Sequence, residues 1–312
     1  MSLPFFYCSE LSRLAAEKSY GTASTGEVWL LIEYPYGWGP KALEDSALSS
    51  ALKRRLSRLV ASIPRARLLF IKQEKAPRDS FQLFIVRARE RDPFILKFEL
   101  ETYEQLLSLD IRAAAANEAA ASGRRTREPL FLVCTHGRRD KCCAKFGYAL
   151  YKNLREKIGA SVWQSSHVGG DRFAANLVCF PHGLFYGHVG EAAGRRIVSE
   201  FAEGRLVLDN YRGRTCYGHA VQSAEFFIRQ ESGLRGLDEL RYLRRERLSE
   251  QSWRIQFAAH NGQSIHEALV SSRPSQFQNY ITCHATAEQS VPQFELDAYE
   301  ASKVVMPFES DA

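Results

Sequence analysis

At 312 residues, with 45% hydrophobic and 25% charged content, the chain is neither a disordered polypeptide nor a disulfide-stapled miniature, and two compact units plus an appendage are expected. Its net charge of +6 is scattered, and the basic runs at 53–55, 124–127 and 241–247 fall in helix-like or linking stretches, which argues against nucleic acid and leaves an acidic protein partner. No apolar stretch approaches a bilayer span, and residues 1–10 lack a basic segment followed by a long apolar one, so no membrane and a cytoplasmic location are expected.

In chain order, residues 27–33 form a continuous apolar run suited to a strand buried on both faces. A turn-rich stretch at 34–40 leads into a helical pattern over 41–59. Strands are predicted at 67–72, 81–87 and 95–100, the first two joined by a polar loop with Pro77, and a helix start at 102–109. The Ala-rich stretch 113–122 and the charged 123–128 read as a link. A second unit opens with a buried strand at 129–134, then a helix over 140–158 stopped by Gly159. Strands at 162–166, 176–180 and 184–188, the last two joined as a hairpin through Pro181-His-Gly183, precede a closing helix at 190–203. Residues 221–250 have helical amphipathicity, and 253–259 and 264–270 alternate like a small β extension. The expected organisation is α/β: two thioredoxin-like units, 1–122 and 123–220, with a helical and β extension at 221–312.

Seven cysteines, an odd number, include the adjacent pair Cys142 and Cys143. In a reducing cytosol they read as free thiols, metal ligands or redox groups. Stepping back three residues from the apolar stripe Phe146, Leu150, Leu154, Ile158 reaches Cys143, whereas Cys142 points about 100° away. Cys143 is therefore the thiol expected to meet Cys134 at the strand's end. A thiolate at a helix N-terminus gains from the macrodipole, which prepares it for metal or redox chemistry. Two buried cysteines in one strand–helix unit are also ordinary packing. The loop Ser166-His-Val-Gly-Gly-Asp-Arg-Phe-Ala-Ala-Asn176 adds His167, a natural metal ligand, and Asp171, able to ligate or to hydrogen-bond a ligand histidine.

Cys134-Thr-His-Gly-Arg-Arg-Asp-Lys-Cys-Cys143, Ser166–Asn176 and Pro181-His-Gly-Leu-Phe-Tyr-Gly-His188 resemble the signature of the sucrase/ferredoxin-like family. Trp29-Leu-Leu-Ile-Glu33 and Tyr211-Arg-Gly-Arg-Thr-Cys216 are similar to its bacterial branch, so that the likeness covers 8–217 and, more loosely, Thr282-Cys283. The resemblance implies a thioredoxin-like ferredoxin, an electron carrier rather than a substrate-transforming enzyme, with a redox protein as partner. It further implies a [2Fe–2S] cluster on a C-x8-C pair and an H-x3-H pair. Cys134 and Cys143 match the cysteines and His167 the first histidine, but Asp171 stands where the second histidine belongs. A carboxylate is a harder ligand than imidazole, so Cys216, His188 and Cys179 stay open as fourth donors beside Asp171, Asp171 and Cys216 ranking first. Arg138 and Arg172 are candidate donors of hydrogen bonds to the cluster. No pair of carboxylates suggests sugar cleavage. Alternatives are thiol–disulfide exchange at Cys134 and Cys143 or at the adjacent pair, a structural zinc on Cys134, Cys143 and His167, and a metal-free binding module.

Overall fold

A computed structural model describes residues 6–74, 79–116 and 123–303; Pro77 and the 117–122 portion of the Ala-rich link lie outside them. Ten strands form one mixed sheet. In the first half, β1 (Val28–Glu33) pairs parallel with β2 (Ala66–Lys72) and antiparallel with β3 (Phe81–Arg87), followed outward by β4 (Phe94–Leu100) and β5 (Arg125–Thr126). The second half repeats the scheme. There β6 (Leu130–Cys134) pairs parallel with β7 (Val162–Ser165) and antiparallel with β8 (Leu177–Phe180), then β9 (Leu184–Tyr186) and β10 (Tyr211–Arg214). The halves are not separate sheets: they join at an antiparallel seam of two pairs, Ile71 with Ser165 and Lys72 with Gln164.

Alternation along each strand sorts the apolar residues into layers. Val28, Leu30 and Ile32 face the helices of the first half, α2 (Ser50–Ser62) and α3 (Ile111–Ala116). Phe131, Val133, Leu177 and Cys179 face those of the second, α4 (Tyr148–Ile158) and α5 (Glu191–Ala202). The opposite sides of both halves share one inner layer, in which Trp29 of β1 lies 5.4 Å from Phe180 of β8 and 5.9 Å from Phe185 of β9. Since those strands are not neighbours in the sheet, it curls until its halves meet face to face. This explains the unbroken apolar runs at 28–33 and 130–134: both faces are covered.

Several stretches differ from the sequence reading, which assigned no helix to Cys8–Leu14 and no strand to β10, and read the stretch holding β5 as a link. The helix expected over 41–59 begins only at Ser50, because Ser49 caps it by accepting the Leu52 amide, and residues 41–46 form turns tied by Asp45 to the Lys41 amide. The helical reading of 221–250 holds for α6 (His219–Ser232), but Leu240–Arg247 is strand β11. Its leucines sit at helical spacing; pairing with β12 (Ser252–Ala259) decides the outcome, and the Arg and Glu side chains guard an exposed sheet edge. With β13 (Ser264–Pro274) and β14 (Pro292–Lys303) these strands form a four-stranded antiparallel sheet. Val221, Ala224, Phe227 and Ile228 of α6 pack on it. The 275–291 connection carries Cys283 back to the first residues of α1 (Cys8–Leu14).

His188 fastens α1. Its Nδ1 accepts from Arg13 Nε at 3.1 Å, and its Nε2 lies 3.2 Å from Ser12 Oγ. Burial, then the nearby Arg13, lowers the imidazole from 6.5 to about 4. The unfolded chain therefore takes up a proton between these values while the folded chain does not. Stability present above pH 6.5 is lost as pH falls toward 4, by on the order of 2 kcal/mol. Urea unfolding at pH 7 and pH 4.5 should show this loss, reduced in His188→Asn, whose residue also tolerates the positive φ of 53°.

Candidate metal centre

Three segments meet beyond the end of β6. After Cys134 the chain turns through residues 135–140 and enters a helix whose first full turn, Cys143–Gly147, is wound as a π-helix before α4 begins. The wide turn holds one residue more than an α turn and rotates Cys143 off the Leu150–Leu154 face. Cys143 consequently packs in the inner layer with Cys134 rather than with the α4 stripe. Gly147 lets helix and strand close up: a Cβ there would stand 2.0 Å from the Cys134 carbonyl oxygen. The loop after β7 supplies the third segment. Ser166 is held to β2 in both directions, its amide donating to Phe70 O and its hydroxyl accepting from Phe70 N, so His167 leaves the sheet at a fixed point.

Cys134 Sγ, Cys143 Sγ and a His167 ring nitrogen lie within 4.8 Å of one another. Asp171 joins them, its Oδ1 3.4 Å from Cys143 Sγ and 3.1 Å from His167 Nδ1. The histidine contact is a close ion pair without hydrogen-bond alignment, and Nδ1 is buried with no hydrogen-bond partner. The Cys143 thiol, then His167, holds Cys134 well below the ordinary thiol range against the opposing effect of burial, and sharing that proton raises Cys143. Burial alone would lower His167, but Asp171 and Cys134 outweigh it and bring the imidazole to about 9.

The other sequence-derived candidates lie elsewhere. Cys216 packs against the α6 and second-sheet core and does not join the cluster, because β10 runs along the sheet edge before delivering it there. Cys179 faces α4 and α5 inside the core. His188 is engaged by α1. Arg172 is tied to Glu17 at 2.5 Å rather than to either thiol, and Arg138 is exposed.

Three bracing residues had no role assigned from sequence. His136 Nδ1 accepts the His167 amide at 3.2 Å, and its Nε2 donates to Gly39 O at 2.8 Å, which sets its tautomer. Arg212, 1% exposed, donates to Gly169 O at 3.0 Å and to Asn176 Oδ1 at 2.7 Å. Asn176 in turn donates to Gly170 O at 2.8 Å, so the Gly169–Gly170 bend is clamped from both sides. His136 and Asn176 stand in the two long motifs and Arg212 in the Arg-Gly-Arg run, but spacing alone does not reveal a clamp.

Fold and donors together define a mixed α/β protein with a buried thiol–imidazole–carboxylate cluster, a donor set suited to a metal. The chain belongs to the sucrase/ferredoxin-like family, whose sequence profile matches residues 19–213. It is also similar to Altered inheritance of mitochondria protein 32 of two yeasts. The Clavispora lusitaniae protein is 33% identical over 95 residues, 28% of this chain and 35% of that protein. The Meyerozyma guilliermondii protein is 33% identical over 97 residues, 28% of this chain and 34% of that protein. The matched part spans about a third of those relatives. No solved structure matches the chain. Among the described residues no helix is long and apolar enough to cross a membrane.

Proposed function

We propose that this protein is an electron carrier that holds a [2Fe–2S] cluster on Cys134, Cys143, His167 and Asp171. The convergence of these four side chains, with the His167 Nδ1 buried and without a hydrogen bond, carries the reading. Two thiolates suit one iron, and an imidazole with a carboxylate suits the other. When bound, the cluster supplies a reversible one-electron couple. The chain's own residues do the rest. His136 and Arg212 hold the ligand loop, and the inner layer keeps water from the thiolates. The His167 side chain, 24% exposed, borders a groove of about 500 Å³ lined in part by Leu43, Val60, His136 and Arg139. That edge is the route for the electron, and the exposed Arg138 and Arg139 suit an acidic redox partner in a reducing compartment such as the cytoplasm.

Imidazole ligation raises a cluster's potential relative to thiolate. Redox titration of His167→Cys should therefore show a midpoint lower by on the order of 100 mV, with the cluster retained. An unchanged potential in that variant would remove His167 from the ligand set.

Zinc is the second reading. Cys134, Cys143 and His167 lie within 4.8 Å of one another, a spacing that three ligands of one tetrahedral ion also satisfy. Zinc in place of iron at this site would assign it a structural role.

A further inference from the structure

A second group of metal-ligating side chains lies on the other side of the adjacent cysteines. Cys143 turns inward to Cys134; Cys142 turns outward and meets Cys8 and Cys283, from the two ends of the chain. The three sulfurs form a nearly equilateral triangle: Cys8 to Cys142 3.6 Å, Cys142 to Cys283 3.3 Å, Cys283 to Cys8 3.6 Å. Asp140 completes the set, its carboxylate oxygens 3.8 and 3.9 Å from Cys8 Sγ. All four offer a donor atom within 4.8 Å of the others, and Cys8, Asp140 and Cys142 are buried.

We propose that Cys8, Cys142, Cys283 and Asp140 form a structural zinc site, separate from the inner centre. The sulfur spacing decides between one ion and a cluster. With Zn–S near 2.3 Å, the edge of a tetrahedron is about 3.8 Å, within about half an ångström of every edge of the observed triangle. A disulfide would draw one pair together and leave the third sulfur aside, whereas here the three separations are almost equal. The backbone is arranged for charged ligands. The Cys8 amide donates to Cys283 Sγ at 3.4 Å and the Ser9 amide to Cys142 Sγ at 3.5 Å. The amides of Cys142 and Cys283 donate to the two oxygens of Asp140 at 2.8 and 2.7 Å, fixing the carboxylate's orientation. Zinc binding replaces the thiol protons, which leave to solvent, and no oxidation is involved.

The consequence is mechanical. One ion ties the start of α1, the corner before Cys143 and the 275–291 connection of the second sheet, joining residues 275 positions apart in the chain. It anchors Cys142 at the entry to the helix, while Cys143 is held separately by the inner layer.

The test is metal analysis of full-length protein, purified without oxygen from cells supplied with iron and zinc, alongside Cys283→Ser, Asp140→Ala and Cys134→Ser. The wild type should carry zinc at about one equivalent per chain. In Cys283→Ser, a change on a partly exposed loop, that zinc should fall more than about tenfold while the inner-site metal stays bound. Circular dichroism of the same sample should match the wild type, separating metal loss from unfolding. Asp140→Ala should lower zinc affinity in a competition with a chromogenic chelator. Cys134→Ser should keep the outer zinc, whichever metal the inner site takes, so failure at one centre is distinguishable from failure at the other. Zinc retained in Cys283→Ser, a wild type whose only zinc disappears in Cys134→Ser, or a Cys142–Cys283 disulfide in anaerobic protein would each overturn the proposal.

Discussion

Replacing Cys134 with Ser should strip the inner centre completely, and replacing Cys142 with Ser should leave it in place. The two substitutions are equally conservative in volume and flank the same turn, Cys134 ending β6 and Cys142 entering the helix. Cys134 lies in the inner layer with Cys143 and His167, whereas Cys142 belongs to a different group, beside Cys8 and Ala174. A serine hydroxyl at 134 keeps the shape but removes the thiolate that the Cys143 proton and His167 stabilise. Bound iron should drop more than about tenfold in Cys134→Ser, with the visible colour lost and far-UV circular dichroism unchanged. The Cys142→Ser protein should remain coloured. Equal bleaching of both would show that the adjacent thiols act as one site.

Gly147→Ala should cost about 3–5 kcal/mol of stability, opposite in sign to the gain of about 1 kcal/mol expected for Ala in a helix. The reason is contact with backbone. The added methyl would stand 2.0 Å from Cys134 O and 3.1 Å from Cys134 C, neither of which can rotate aside. Relief requires the helix to retreat from β6, which carries Cys143 away from Cys134. Loss of stability should therefore come with loss of the inner metal. Gly190→Ala is the control: an added Cβ meets nothing within 4 Å and φ is −86°, so its effect should stay within about 0.5 kcal/mol. Chemical denaturation of the metal-free proteins gives the stability difference, and metal analysis gives its consequence at the site.

The central strands of both halves were legible because they are dense apolar runs ended by turn residues, as at 28–33, 81–87 and 130–134, whereas the polar edge strands β5 and β10 were not. Their union in one sheet was not. It depends on two residue pairs at the β2–β7 seam and on an inner layer assembled from distant segments. The inner donors were legible by motif and helix phase, although the phase argument assumed a regular helix and a π turn intervenes. Cys143 reaches Cys134 by leaving the stripe used to locate it. Cys216, set beside Asp171 on sequence grounds, follows a strand whose route along the sheet edge is a tertiary fact. The outer group was illegible for the same reason: no local pattern joins Cys8 to Cys283, and only the return of the 275–291 connection to α1 does so.

Iron, acid-labile sulfide and zinc determination on protein purified without oxygen, with its visible spectrum, tests the proposed function most directly. The account predicts a brown protein with about two irons and two sulfides per chain, lost in Cys134→Ser. A colourless protein whose Cys134-dependent metal is a single zinc, or which binds no metal through Cys134, would contradict it.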